Sequence, residues 1–431
     1  MAILGINTII ELLYRNNRNQ FLSWDLMVVI GIVYFVSTYI KNIYNRIIVL
    51  GWFLFYFLGV LNINSVLRST NAWSLNIRGG SYLYFGCMLV FVIGLLLFER
   101  MLTPHANQDP PNIKRPQFTP FNILLMLYPF VFIYSMYRTL GFLPIFLGES
   151  FASEMYEFDY GPLYGFKFIC IYGILYALVM SAKKGMKIPS IIYAIAMLVI
   201  LIADGKRFMI LMAFISGIPI YYFIRERVDR RPSSIRPLII AGLLIVTSYT
   251  VISYVRTGSS MNGIVGNTIE KIPFGVEFKD YIHSYNAISR RSVHDYDFGL
   301  SSFGSFMNTE VLSFMGYNKE ELMRRGSAYV WKDIYEEGVG IRTGIISELY
   351  FAYGYFAMLC MFLLAFITHH VTYRLKHPLS YFNLIQYSIL YALLFLLING
   401  PATVFFGCLT LMLYVLIGYR LFKFLFNSKF R

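Results

Sequence analysis

Apolar runs of bilayer-spanning length alternate with short polar turns along nearly all of the 431-residue chain. A transmembrane helix needs about 20 mainly apolar residues. On that measure the pattern predicts about eleven spans (10–12): 26–42, 47–63, 81–98, 119–137, 162–181, 188–203, 208–223, 237–255, 344–368, 382–398 and 402–422. The expected fold class is therefore an all-α polytopic membrane protein, with 1–431 forming a single integral membrane domain. One long polar insertion, roughly 256–343, precedes the ninth span. Loops of such length are functional or disordered as a rule; this one holds Trp331 and many Tyr and Phe, so it is expected to be ordered. The first residues, "MAILGINTIIELLYRNNRNQ", lack the basic n-region and small-x-small site of a signal peptide and are expected to form a short interfacial or re-entrant helix.

Composition agrees. The chain is 57% hydrophobic and only 14% charged, against about 25% charged in soluble domains. Its net charge of +14 raises nucleic-acid binding as an explanation. The basic residues are spread over loops between spans rather than gathered in one patch, so no nucleic-acid partner is expected. Cys87, Cys170, Cys360 and Cys408 each sit inside an apolar run without CxxC or Cys/His spacing. They are expected to be small packing residues, with no disulfide, no metal and no cofactor.

Lysine and arginine in short loops set orientation. "RERVDRRPSSIR" (225–236), "KKGMK" (183–187), "KNIYNR" (41–46), "RLK" (374–376), the 99–118 loop and the tail from 420 fall on one side if every run spans. That side is expected to be cytoplasmic, which leaves 256–343 as a large extracytoplasmic loop. The 138–160 loop lies outside as well and is acidic, with Glu149, Glu154, Glu157 and Asp159.

Six cations then stand on the side that insertion disfavours: Arg138, Lys167, Lys206, Arg207, Arg256 and Arg342. One alone would be a side chain snorkelling to headgroups. Six at one leaflet point to a cationic pocket for an anion, because charge at membrane depth is costly and the guanidinium fork suits phosphate oxygens. A pocket open to lipid suits a polyprenyl-pyrophosphate substrate, whose pyrophosphate is both anchor and leaving group. Arg207 and Arg256 are the candidate catalytic cations, stabilising the charge that develops there; Lys206, Arg342, Arg138 and Lys167 are candidate substrate-binding residues.

Glu348 lies about one turn inside the ninth span, on a face with Gly344 and Phe351. It is either the ion-pair partner of Arg207 or Arg342, or a base and acceptor for a sugar hydroxyl. Tyr350 in the same stretch is a candidate substrate contact. His283 and His294 in the long loop are candidate bases, though a lone loop histidine is more often an ordinary surface residue. The aromatics of "SAYVWKDIY" (327–335) suit either sugar stacking or the loop's own core. No GxGxxG, P-loop, HExxH or GxSxG motif occurs, and "DYD" (295–297) is the one Asp-x-Asp pair, which disfavours a metal-dependent glycosyltransferase.

Three stretches carry a family likeness. "ADGKRFMILMA" resembles a Gly-x-Arg followed by an apolar helix. "SYVRTGSS" resembles an arginine that ends a span and opens an outer loop. "GIISELYFAYGYFAM" resembles the Gly…Glu-Leu-Tyr…Gly-Tyr helix after that loop. Together with the topology they resemble the Wzy-type O-antigen and lipid-linked oligosaccharide repeat-unit polymerases. The resemblance implies a bacterial inner-membrane protein whose active site faces the periplasm, similar to membrane glycosyltransferases that use lipid-linked donors. It implies transfer of the growing chain from undecaprenyl pyrophosphate to the next undecaprenyl-pyrophosphate-linked oligosaccharide, building O-antigen, capsular polysaccharide or exopolysaccharide, with no cofactor. Membrane lipid, a chain-length regulator and a flippase are the partners it implies. An O-antigen ligase shares the outer loop and the donor, and would need an essential loop histidine. A lipid-linked oligosaccharide flippase or other transporter should show internal repeats and a midplane site; neither is evident, and the charges gather at one face. A partner of the assembly complex without chemistry would not need the cationic cluster.

Overall fold

The computed structural model describes residues 31, 34–36, 38–53, 56, 77–102, 119–143, 166–183, 185–203, 207–228, 281–289, 309–318, 344–398 and 402–427. These residues are helical, with no strand among them. The helices are α1 (Ile43–Phe53), α2 (Ile77–Met101), α3 (Pro120–Leu140), α4 (Ile169–Met180), α5 (Lys187–Ala203), α6 (Arg207–Phe223), α7 (281–289), α8 (Thr309–Phe314), α9 (Gly344–Tyr353), α10 (Ala357–Lys376), α11 (Tyr381–Leu396) and α12 (Ala402–Asn427). Five stretches of the described residues are long and apolar enough to cross a membrane: Gly79–Met101, Pro120–Leu140, Phe208–Arg227, Gly344–Lys376 and Phe405–Leu425. Shorter apolar helices, α1, α4, α5 and α11, fill the bundle between them. The span expected at 237–255 and the N-terminal helix lie outside the described residues.

Two differences from the expected spans have local causes. The first two spans were expected to meet at 42–47. Helical residues instead stop at Tyr39, and α1 starts at Ile43, because the Asn42 side chain accepts from Tyr44 N at 3.1 Å and caps it. The ninth span, expected to stop at 368, runs to Lys376 and is broken: Gly354 has φ +58°, and Gly354–Phe356 form a single 3₁₀ turn between α9 and α10.

Packing fixes which helix ends lie together. The parallel pair α2 and α10 forms the most extensive contact. Gly86 lies under Met358, and Gly94 under Ala365 and Phe362, so small residues admit the partner's side chains. α3 and α4 are antiparallel: Asn122 Nδ2 donates to the Tyr176 hydroxyl at 2.6 Å, and Gly173 faces Leu125. α6 and α11 are antiparallel, with Phe223 against Tyr381 at 6.2 Å. At the same end Phe382 stacks on Tyr419 of α12 at 4.0 Å. Trp52 is wholly buried, stacks on Phe91 and donates its indole N–H to Phe395 O at 2.9 Å, locking α1 between α2 and α11.

One end of the bundle gathers the basic residues Lys41, Arg46, Arg100, Lys183, Lys187, Arg225, Arg227, Arg374, Lys376, Arg420 and Lys423. Glu99 answers them there. Its carboxylate accepts from Lys41 N at 2.9 Å, Asn42 N at 3.3 Å and Asn45 Nδ2 at 2.6 Å, and Asn45 accepts from Thr372 at 2.7 Å. An anion at the N-terminus of α1 is well placed against the helix dipole, and the network ties α1, α2 and α10. Away from the core, Ile188, Ile192, Ile195 and Val199 form an exposed stripe along α5, at the spacing of one helix face. Cys87, Cys170 and Cys408 are buried among apolar side chains and Cys360 partly so, in keeping with a packing role.

Gly173 tests this packing. Pro129 has no N–H to give the Leu125 carbonyl, and α4 closes on that carbonyl so tightly that a Cβ on Gly173 would stand 2.7 Å from it. Gly173→Ala is expected to destabilise the protein by about 1–3 kcal/mol, the cost of overpacking against backbone. Gly407→Ala, with nothing within 4 Å of the added carbon, should be neutral or slightly stabilising. Thermal unfolding of both variants in detergent checks the contrast; equal midpoints would remove the close α3–α4 contact.

Candidate active site at one end of the bundle

The end opposite the basic residues is built around α9. Gly344 opens the helix with φ +69°, and the next amide, Ile345 N, donates to Leu397 O of α11 at 3.1 Å. This anchors the start of α9 on the end of α11. Gly344 and Phe351 are buried, and Glu348 on the same face is half-buried. Tyr350 projects from another face and is 5% exposed. Its hydroxyl lies 3.2 Å from Ser289 Oγ and its ring 5.4 Å from that of Tyr285. The candidate substrate contact of the sequence is thus turned toward the long insertion.

α7 lies within that insertion and is embedded in the bundle: every residue from 281 to 288 is buried. The Tyr281 hydroxyl donates to Gly80 O at 2.7 Å, and a Cβ on Gly80 would stand 2.7 Å from Ile282 Cδ1. Tyr281 also packs edge-on against Tyr84, which stacks on Tyr56. Burial pushes the phenols of Tyr281 and Tyr285 above the usual tyrosine value, so both stay neutral hydroxyls. His283 is 7% exposed. It is a buried residue of the α7 junction, not the surface histidine that a loop position suggested. The Ser81 and Ser347 hydroxyls are also buried, with no hydrogen-bond partner among the described residues.

Three of the expected cations share this end. Arg138 is exposed in the last turn of α3, Lys167 is half-buried in the turn before α4, and Arg207 is the first residue of α6. The antiparallel pairings bring these three positions and Glu348 to the same end as α7. Lys206, Arg256, Arg342 and His294 lie outside the described residues. Among the described residues no three His, Cys, Asp or Glu side chains come together as a metal site would need.

Sequence reasoning missed Tyr285, Ser289 and Tyr355. The signal was present for the first two: Tyr281, Tyr285 and Ser289 follow each other at i, i+4 and i+8, one face of a helix. Nothing local announces Tyr355, whose position depends on the break at Gly354.

Searches of curated proteins and of solved structures find no match. A family model does match, that of O-antigen polysaccharide polymerase Wzy, over residues 1–428. Nearly the whole multi-pass helical chain is covered, and the chain belongs to the O-antigen polysaccharide polymerase Wzy family.

Proposed function

We propose that the chain elongates O-antigen or a related surface polysaccharide on the outer face of the bacterial inner membrane, through about eleven spans and a single large outer loop at 256–343. The growing chain leaves undecaprenyl pyrophosphate and joins the next lipid-linked repeat unit. A hydroxyl of the acceptor unit attacks the anomeric carbon of the donor chain. The glycosidic bond forms, the bond to pyrophosphate breaks, and the acceptor proton passes to a base. Glu348 is that base or the group that orients the acceptor hydroxyl. Arg207 and Arg256 stabilise the charge growing on the pyrophosphate, with Lys206, Arg342, Arg138 and Lys167 widening the cationic field.

The observation that supports this reading is that the positions of Arg138, Lys167, Arg207 and Glu348 all fall at the end of the bundle away from the basic one. Positive charge in short loops marks the cytoplasmic side, so the converging end is the outer one. Membership of the family supplies the reaction class. A chain-length regulator and a flippase are the protein partners expected around it.

A deletion strain tests the function as a whole. Surface lipid capped by one repeat unit is the expected profile. Accumulation of long lipid-linked polymer with none transferred would assign the ligase reaction instead. In that case His283→Ala or His294→Ala, rather than Glu348→Gln, should abolish activity.

Orientation has its own measurement. With Cys360 replaced by Ser, cysteines introduced at Ser259 and Asn318 are expected to react with an impermeant maleimide in intact cells, and one at Ser233 is not. Labelling at 233 would reverse the topology and remove the outer site.

The charged residues are tested by turnover of lipid-linked units with the purified protein. Arg207→Ala and Arg256→Ala should each lower the rate by about 100- to 1,000-fold, the loss seen when one transition-state donor is removed, and Lys at either position should restore it only in part. Glu348→Gln should leave the protein level unchanged and cut turnover about 100-fold or more, the usual share of a general base. A fall in protein level instead would make Glu348 an arginine's partner, since breaking a buried pair costs about 3–5 kcal/mol.

A further inference from the structure

The break between α9 and α10 does something an unbroken helix cannot. Residues five apart on an α-helix point about 140° away from each other, so Tyr350 and Tyr355 would diverge. The single 3₁₀ turn at Gly354 brings their rings to 5.6 Å, edge to face. The Tyr285 ring flanks Tyr350 as well, at 5.4 Å, and Ser289 Oγ lies 3.2 Å from the Tyr350 hydroxyl. Three tyrosines and one serine thus come together from α7, α9 and the break. One helical turn before Tyr350, the Ser347 hydroxyl is 1% exposed and lacks a hydrogen-bond partner among the described residues.

A broken backbone at membrane depth is tolerated where it lines a site or is buried in protein. This one is at the surface: Tyr355 is 67% exposed. Tyr355 and Ser289 are the exposed edge of the cluster over buried Tyr285 and Tyr350, and the residues that follow, Phe356 in the break and Leu359 and Leu363 on α10, are exposed apolar side chains. Converging neutral hydroxyls that donate and accept, with ring faces beside them, suit a polyhydroxylated ring rather than an anion. The adjoining apolar stripe suits an isoprenoid chain lying against the helix.

We propose that Tyr285, Ser289, Tyr350 and Tyr355 form a subsite for a sugar ring of a lipid-linked repeat unit, with the lipid tail running along Phe356, Leu359 and Leu363. This rests on the transfer reaction proposed above. The ring enters laterally from the bilayer, and the insertion contributes to recognition through α7.

Two measurements test it, one independent of turnover. A photoreactive benzoylphenylalanine at Tyr355, in the full chain in nanodiscs, is expected to crosslink to lipid-linked units extracted from the deletion strain. Free repeat-unit oligosaccharide should compete with that crosslink, and undecaprenyl phosphate should not. Competition by undecaprenyl phosphate alone would make this a lipid contact and overturn the subsite. The second measurement is kinetic. Tyr285→Phe and Tyr355→Phe should each raise KM for the lipid-linked unit about 3- to 10-fold, the ratio for one neutral hydrogen bond, with kcat within about twofold. Unchanged KM in both variants, or a fall confined to kcat, would overturn it by making the cluster a brace for α9. Crosslinking competed by the oligosaccharide, in a protein that forms no polymer, would leave the subsite standing and remove the transfer reaction.

Discussion

A hydrocarbon bilayer offers no hydrogen-bond partner to a peptide group, and much of this architecture follows from that constraint. The described residues are accordingly mainly helical, and several of the helix ends among them are capped. Thr119 and Ser380 accept from the amides at 122 and 383, and Gly141 closes α3 with a left-handed residue. Where a carbonyl loses its helical donor, another group moves in. Pro129 leaves Leu125 O without one, and Gly173 of α4 approaches that oxygen, while the Tyr193 hydroxyl donates to the next carbonyl, Met126 O. The proline irregularity thus becomes the contact that fixes α3, α4 and α5 together.

The same medium makes charge expensive, so the two ends of the bundle deal with it differently. At the basic end Glu99 accepts three N–H groups and sits among arginines and lysines in a network that joins three helices. Charge there serves packing. At the other end the described charges are few, and they stand at helix termini: Arg207 at the start of α6, Lys167 before α4, Glu348 in the first turns of α9.

The bundle was largely legible in the sequence because apolar length is a strong signal. Nine of the eleven expected spans overlap the helices α1–α12, five described stretches are long and apolar enough to cross a membrane, and Pro120–Leu140 and Arg207–Phe223 start within one residue of expectation. What stayed hidden depended on tertiary contact. Asn42 caps α1 only because the chain turns there to meet Glu99. Gly354 falls inside the expected ninth span, and only its φ of +58° reveals a break. The burial of His283 could not be read from a polar insertion, since nothing in its neighbours says that α7 docks on Gly80. Glu348 and Tyr350 were both legible as unusual. Their separation was not: Glu348 is half-buried, while Tyr350 is buried on another flank of α9 beside Tyr285 and Ser289 of α7.

That separation explains why a polar helix is worth burying. α7 carries Tyr281, His283, Ser284, Tyr285, Asn286 and Ser289, and an apolar helix would pack there with less desolvation. Hydrogen bonds such as Tyr281 to Gly80 O and Ser289 to Tyr350 add direction, which apolar contact lacks. They set the register of α7 against both α2 and α9 at once. Because α9 also hangs from Leu397, just past α11, through Ile345 N, its first turns, which carry Glu348, are held from two sides. α7 is therefore part of what fixes those turns. A change in how it docks would be felt at Glu348 through Tyr350, two residues away on the opposite flank of the same helix.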